Sequence, residues 1–204
     1  MQFKRRVAEG YDICAGRLDR ERGLGSVAAR WLARLTETLP PSARLLDLGC
    51  GAGTPHTSFL AERFDVVGVD ISSRQLHIAS ARVPQADFIL ADMSSLHFPD
   101  GSFQAITAIY SIIHVPREEQ ARLFASIRRW LKPSGTALLV LGANDTPYGE
   151  ESDWFGAPML WSHYDAETNL EMLRDARLRV MESAQEPDPT DSNGRQLFVI
   201  CRAV

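Results

Sequence analysis

The chain has 204 residues, of which 45% are hydrophobic and 24% charged, close to the average for a soluble globular protein. Its 26 acidic and 22 basic side chains give a formal net charge of −4, which disfavours a general binder of nucleic-acid phosphates. The cysteines Cys14, Cys50 and Cys201 are widely spaced and form no CxxC pair, which argues against a zinc site and a disulfide framework.

The N-terminal stretch MQFKRRVAEG is charged and lacks the apolar core of a secretory signal. No uncharged run along the chain reaches the length that spans a membrane. We therefore expect a single domain, located in the cytoplasm, with reduced thiols and no membrane partner.

Strand-like runs alternate with helix-like runs, which indicates an α/β fold with a mainly parallel sheet. Residues 1–25 precede the first strand and are predicted to be a partly helical extension of one domain spanning residues 1–204. The predicted strands are short apolar runs at Arg44–Leu48, Val66–Asp70, Asp87–Leu90, Ala105–Tyr110, Thr136–Leu141, Arg179–Glu182 and Gln196–Cys201. The predicted helices carry apolar side chains at helical spacing or start signals, and lie at Val27–Leu39, Pro55–Arg63, Ser73–Ala81, Arg117–Leu131 and Asp165–Ala176.

Residues 142–164 fall outside this alternation and form a long connection rich in aromatic side chains. Long connections in compact domains are often functional, so we expect an insertion that acts as a lid. The side chains of Trp154, Met159, Trp161 and Tyr164 are candidates for lining an apolar substrate pocket. Anchoring of the loop to the core is the equal alternative.

The stretch LLDLGCGAGTP places Gly49, Gly51 and Gly53 between a predicted strand and a predicted helix. Glycine allows positive φ and leaves no Cβ in the way, so a ligand can approach the backbone closely. The following helix directs its N-terminal amides and the positive end of its dipole at that place. A tight strand-to-helix connection without a ligand is the alternative interpretation.

Acidic residues end the next two predicted strands. Asp70 lies 21 residues after Gly49, where a carboxylate can accept hydrogen bonds from both ribose hydroxyls. Asp92 follows the third strand and can accept a hydrogen bond from an adenine amino group, with Ile71 and Met93 on either side of the ring. For either acid, a helix cap or turn is the alternative. Together with the glycines, these residues predict a nucleoside-type site.

The glycine spacing bears on which nucleoside is bound. A dinucleotide fingerprint requires its third glycine at position 54, where the chain has Thr54, and the lysine of a P-loop is missing too. A nicotinamide-dependent oxidoreductase is the competing hypothesis from another enzyme class, and the glycine spacing argues against it.

These segments resemble the class I S-adenosylmethionine-dependent methyltransferases. LLDLGCGAG resembles the first motif of that family, with Asp47 and the three glycines, and VVGVD resembles the second, with Asp70. FILADM resembles the adenine-binding segment, with Asp92, and FPDGSFQAITAIYSIIHV resembles the fourth-strand motif. LKPSGTALLV resembles the entry to strand five, and Gln104 stands where the family often has Asp.

The resemblance implies a Rossmann-like, seven-stranded, mostly parallel sheet sandwiched by helices, with its last strand antiparallel. It implies S-adenosylmethionine as cofactor and S-adenosylhomocysteine as product. Tyr11 resembles a tyrosine that closes over the cofactor from an early helix, although a plain core or surface aromatic is an equal alternative. Asp47 and Tyr110 are assigned to the cofactor with the residues above.

Methyl transfer needs alignment of a nucleophile and, for some acceptors, a general base, and neutral histidine is the usual candidate near pH 7. His114 follows the fourth strand and His163 lies in the 142–164 connection, so both are catalytic candidates, with a structural role as the alternative for each. We expect His56 to be solvated, with a position near the cofactor as the alternative, and His77 and His97 to be peripheral.

A small-molecule acceptor is the expected substrate, with its methylated atom (O, N, S or C) left open. Nucleic acid is disfavoured because the Asn/Asp-Pro-Pro-aromatic motif of amino-methylating DNA enzymes is replaced by Ile109–Ile112, and no Pro-Cys pair occurs. No metal site is expected, because an acidic cluster at the fourth strand is lacking. A monomer or homodimer is expected, and a cofactor-binding regulatory module without catalysis is the third hypothesis.

Overall fold

The computed structural model describes residues 2–15, 27–191 and 193–204. Residue 1 and residues 16–25 of the predicted N-terminal extension therefore lie outside the described residues. The helices are α1 (Gln2–Cys14), α2 (Val27–Glu37), α3 (His56–Ala61), α4 (Ser73–Arg82), α5 (Arg117–Trp130) and α6 (Ala166–Asp175). The strands are β1 (Arg44–Leu48), β2 (Asp65–Asp70), β3 (Asp87–Leu90), β4 (Phe103–Ala108), β5 (Leu131–Gly142), β6 (Thr146–Trp154), β7 (Ala157–His163), β8 (Leu178–Pro187) and β9 (Arg195–Ala203).

Seven of these strands form one sheet in the order β3-β2-β1-β4-β5-β9-β8. The neighbours from β3 to β5 are parallel, whereas β9 is antiparallel to both β5 and β8. The chain thus starts in the middle of the sheet, builds outward to one edge, and then returns to build the other side. The predicted fold, with an antiparallel last strand, is confirmed.

Alternating side chains of the strands supply two apolar layers, one on each face of the sheet. Leu46 of β1 belongs to the layer under α5 and α6, which also contains Phe124 and Trp130. Its neighbour Leu45 belongs to the opposite layer, with Trp31 of α2. The central strands are covered on both sides, as expected for parallel strands with near-continuous apolar sequences.

The connection predicted as a lid forms two paired antiparallel strands, β6 and β7, separate from the main sheet. Their apolar side chains pack against α1 in a third cluster that contains Val7, Cys14, Trp154, Met159 and Leu160. Helix α1 and this hairpin therefore form one small layer of their own. None of the helices within the described ranges is both long and apolar enough to cross a membrane.

Candidate active site

A cavity with about 1010 Å³ of empty space, part of it open to solvent, lies at the carboxyl ends of the central strands. The cavity lies beside β1 and its neighbours β2 and β4. The strand order changes direction at this point of the sheet, and such a topological switch point is the usual ligand position in open α/β sheets. Its wall is formed by the loop after β1, the ends of β2, β3 and β4, and one side of α1.

The middle of the glycine loop, at Gly51, faces this cavity. Gly51 has φ of 55°, and a Cβ built there would meet no heavy atom within 4 Å, so its backbone is open to a ligand. Gly49 also lines the cavity, but a Cβ there would lie 2.2 Å from the Cβ of Ser111, so its bare backbone allows close packing. Gly53 lies outside the cavity wall and faces Ala79 of α4, where a Cβ would come within 3.2 Å of the alanine Cβ.

Asp70 ties the end of β2 to the glycine loop. Its two carboxylate oxygens accept hydrogen bonds from the backbone amides of Gly51, at 2.9 Å, and Ser72, at 2.8 Å. Burial raises the pKa of Asp70 to about 6, against the opposing effect of these amides. A carboxylate has about four acceptor positions, so Asp70 keeps the capacity to accept a hydrogen bond from a ligand in the cavity.

Asp47 is buried at the floor of the cavity, where it joins three elements. Its oxygens accept hydrogen bonds from the hydroxyls of Thr57 in α3, at 2.7 Å, and Thr107 in β4, at 2.8 Å. Burial raises its pKa, and the two hydroxyls oppose this shift. The carboxylate thereby fixes the start of the glycine loop relative to α3 and β4.

Asp92 lines the cavity together with Met93 at the end of β3 and Ile71 at the end of β2. Its Oδ2 atom accepts a hydrogen bond from Nζ of Lys4, at 2.6 Å, and its Oδ1 atom accepts one from the amide of Ser94, at 2.9 Å. Burial raises the pKa of Asp92, but the bonds from Lys4 and Ser94 outweigh burial and lower it overall. Asp92 is therefore ionised, and α1 reaches it directly.

Tyr11 and His114 also line the cavity. Nδ1 of His114 lies 2.6 Å from the carbonyl oxygen of Leu160, and Nε2 lies 2.8 Å from the hydroxyl of Tyr11. A carbonyl oxygen can only accept, so Nδ1 carries a proton, and whenever the imidazole is neutral its Nε2 atom accepts a hydrogen bond from the phenol. The sequence-predicted tyrosine and histidine thus form one hydrogen-bonded pair. Tyr110, also in the wall, has φ of 54° where the chain leaves β4.

His163 was expected at the site but lies outside the cavity wall. It packs on Gly142, where a Cβ would lie 2.1 Å from its Nδ1 atom, and this nitrogen lies 2.8 Å from the carbonyl oxygen of Asn144. Burial lowers the pKa of His163. It holds the start of the hairpin on β5, and its catalytic role stays a prediction.

The four aromatic and thioether candidates for substrate contact also lie behind the wall. Trp154 and Met159 are buried in the α1–hairpin cluster, and the ring of Trp161 lies 5.7 Å from that of His114. The Cζ atom of Arg117 lies over the ring of Tyr164, 4.1 Å from the centroid of that ring. These side chains support His114 and the hairpin, which agrees with the anchoring alternative, and their direct contact with substrate stays a prediction.

Several wall residues were not assigned to the site from the sequence, and His56 and Lys4 are two of them. His56, expected to be solvated, lines the cavity at the start of α3, and Lys4 lines it from α1. Lys4, Val7 and Tyr11 follow an i, i+3, i+7 spacing and all line the cavity. That spacing is the signal that could have identified the inner face of α1.

Residues 45–135 match a family model described as a methyltransferase domain. Phosphoethanolamine N-methyltransferase 1 of Arabidopsis thaliana is 31% identical over 173 residues, which cover 78% of this chain and 34% of the plant protein. The 27-O-demethylrifamycin SV methyltransferase of Amycolatopsis mediterranei is 32% identical over 173 residues, which cover 72% of this chain and 62% of that protein. The chain thus spans about a third of the plant relative and less than two thirds of the bacterial one.

The fold is similar to a solved structure of the 1,6-didemethyltoxoflavin-N1-methyltransferase of Burkholderia thailandensis, described with bound 1,6-didemethyltoxoflavin and S-adenosylhomocysteine. The TM-score is 0.67 at 20% identity, and the match covers 86% of this chain and 77% of the other. At this identity the likeness establishes a shared fold. The matched family segment contains the glycine loop, Asp70, Asp92 and His114, whereas α1 and the hairpin lie outside it.

Proposed function

The chain belongs to the class I S-adenosylmethionine-dependent methyltransferase family, and from this membership we propose that it transfers a methyl group from S-adenosylmethionine to a small-molecule acceptor. The observation that carries the proposal is the joining, in one cavity, of the open glycine backbone, Asp70 and the Tyr11–His114 pair. The first two suit the cofactor, and the third suits the reacting end of an acceptor.

The residues of the wall fit the cofactor by their chemistry. Gly51 leaves space for the aminocarboxypropyl tail, and the remaining acceptor capacity of Asp70 suits the ribose hydroxyls. Asp92 would accept a hydrogen bond from the adenine amino group, and Ile71 and Met93 would border the ring. When bound, S-adenosylmethionine supplies an activated methyl group on a sulfonium, and S-adenosylhomocysteine is the product.

Tyr11 and His114 would manage the proton of the acceptor. The oxygen of Tyr11 would take the proton that the acceptor gives up on methylation, and the phenol proton would pass to Nε2 of His114. The carbonyl of Leu160 keeps Nδ1 protonated and so keeps Nε2 available for this transfer. This pair is useful only for an acceptor that carries a proton, so we favour a hydroxyl or amine acceptor.

The charge of the wall bears on the substrate class. Among the described wall residues, Lys4 is the one lysine or arginine, and its ammonium is paired with Asp92 and Glu119. The wall near His114 includes the apolar side chains of Val7, Ile109 and Val115. This arrangement supports an uncharged acceptor rather than the phosphate ester named for the plant relative.

The remaining expectations are carried forward as part of the proposal. The chain would act as one domain, as a monomer or homodimer in the cytoplasm, with α1 and the hairpin as the covering layer and no nucleic-acid substrate. A nicotinamide-dependent oxidoreductase is not favoured, because the family membership and the glycine spacing both oppose it. A cofactor-binding module without catalysis is the second candidate.

Calorimetry and a transfer assay separate these functions. We expect S-adenosylmethionine and S-adenosylhomocysteine to bind, NAD not to bind, and label from methyl-labelled cofactor to appear in the small-molecule fraction of a cell extract. Binding of S-adenosylhomocysteine with no transfer to any fraction would support the non-catalytic module. Binding of NAD in place of S-adenosylhomocysteine would overturn the proposal.

A further inference from the structure

A cluster of charged and hydroxyl groups lies at the Asp92 end of the cavity and joins three elements. Nζ of Lys4, from α1, donates hydrogen bonds to Asp92 at 2.6 Å, to Ser94 at 2.7 Å and to Glu119 of α5. The ammonium has three protons, so all of its donors are used. The cluster was not foreseen from the sequence, since Lys4 and Asp92 are 88 positions apart.

The hydroxyl of Ser94 is placed between two carboxylates. Its Oγ atom lies 2.9 Å from Oδ1 of Asp92 and 2.6 Å from Oε2 of Glu119. A hydroxyl has a single proton, so Ser94 can donate to only one of them at a time. The shorter distance to Glu119 favours donation in that direction.

The direction in which the Ser94 hydroxyl donates its hydrogen bond determines how many acceptor positions on Asp92 stay open. Oδ2 of Asp92 already accepts from Lys4 and, at 3.2 Å, from the hydroxyl of Ser95, and Oδ1 accepts from the amide of Ser94. If the Ser94 hydroxyl also donates to Oδ1, all four lone pairs are filled. If it donates to Glu119, one lone pair of Oδ1 stays open for an amino group in the cavity.

We propose that Glu119 sets the preference for adenine by drawing the Ser94 proton away from Asp92. This inference rests on the proposed function, in which Asp92 accepts a hydrogen bond from the 6-amino group of the cofactor. Lys4 makes the arrangement possible, because its positive charge offsets the repulsion between the two carboxylates that share Ser94. Arg122, 3.7 Å from Glu119, adds a second positive charge on the outer side.

The test compares two ligands that differ at one position of the base: S-adenosylhomocysteine and its 6-oxo analogue, S-inosylhomocysteine. The wild-type protein should prefer the amino ligand. Glu119→Ala should weaken S-adenosylhomocysteine binding about tenfold, the scale of one hydrogen bond to a charged group, and leave binding of the oxo analogue within about twofold. Glu118→Ala removes the same charge from an exposed position in the same helical turn, and should change neither affinity.

A double variant tests the role of the serine proton. Ser94→Ala keeps the backbone amide that Asp92 uses and removes the competing hydroxyl, so Glu119→Ala with Ser94→Ala should recover the affinity for S-adenosylhomocysteine to within about threefold of wild type. Glu119→Gln, which preserves side-chain volume, should give an intermediate loss and provides a second readout should the alanine variant fold poorly.

Several outcomes would overturn the inference. One is an unchanged ligand preference in both the Glu119→Ala and Glu119→Gln proteins, and another is equal weakening of both ligands, which would indicate a structural role. A double variant as weak as Glu119→Ala alone would also contradict it. Failure of the wild-type protein to bind S-adenosylhomocysteine would overturn the proposed function as well, which distinguishes the two failures.

Discussion

Asp70 combines a buried position with two backbone hydrogen bonds, and its ionisation is therefore sensitive to mildly acidic pH. Burial raises its pKa to about 6, so the carboxylate is mostly ionised at pH 7 and mostly protonated at pH 5. Protonation converts an acceptor oxygen into a donor, which removes a position that ribose hydroxyls would use. Binding of the nucleoside should thus require the ionised form.

We expect the affinity for S-adenosylhomocysteine to fall about tenfold between pH 7 and pH 5, because the ionised fraction of Asp70 falls by that factor. Calorimetry across this range measures the effect. Asp70→Asn should bind the ligand more weakly at pH 7 and lose most of the pH dependence. An equally steep dependence in the asparagine variant would assign the titration to another group.

Removing His114 should separate chemistry from cofactor binding. If its Nε2 atom receives the phenol proton of Tyr11, His114→Ala should lower the transfer rate by about 10²–10⁴ while the affinity for S-adenosylhomocysteine is kept. His97→Ala, at an exposed position, is the matched control and should keep the wild-type rate. A wild-type rate in His114→Ala would leave the histidine with a structural role.

Helix α1 covers the cavity and is held at several points along its length. Near its C-terminal end, Asp12 accepts hydrogen bonds from the hydroxyl of Ser72 at 2.5 Å and the amide of Arg74 at 3.1 Å, so it adds to the capping of α4. Lys4 holds the other end, and the apolar cluster with the hairpin holds the middle. The covering layer is therefore tied to both sides of the cavity.

Asp12→Ala should loosen this layer without unfolding the sheet. Loss of an N-terminal cap costs about 1 kcal/mol, so amide hydrogen exchange in residues 2–14 should become faster by up to about tenfold. Glu9→Ala changes an exposed acid of the same helix whose partner is Arg5, and serves as control. Exchange rates in α1 that match the control would show that Asp12 does not anchor the helix.

At the level of elements, local patterns predicted some strands well and missed others. The bounds of β1 and β3 were predicted from their short apolar runs, whereas β6 and β7 were expected to be a connection. Their two-residue turn uses Phe155 and Gly156, both with positive φ. The usual Asn-Gly or Asp-Gly signal of a two-residue hairpin turn is absent, because phenylalanine occupies the first turn position. The fourth strand, predicted to reach Tyr110, ends at Ala108 because the chain turns away from the sheet at Tyr110.

At the scale of the whole molecule, the order of the strands explains which site residues could be foreseen. Asp70 and Asp92 end neighbouring parallel strands next to the glycine loop, so the predicted topology alone brings them to one edge. Lys4 of α1 and Glu119 of α5 meet beside Asp92, and Leu160 of the hairpin contacts His114, because these elements pack together in three dimensions. The spacing of Lys4, Val7 and Tyr11 marks the inner face of α1, but no sequence signal pairs Lys4 with Glu119 or Leu160 with His114, so these contacts could not be predicted.

The partner of Nδ1 in His114 is a main-chain oxygen, that of Leu160. Every amino acid offers the same oxygen, so exchanging the side chain at this position leaves the imidazole in the same tautomer as long as β7 keeps its path. Under the proposed function, sequence variation in the hairpin would therefore leave the proton-accepting nitrogen directed at Tyr11. The tautomer that the proton transfer needs would depend on the path of β7 and not on its side chains.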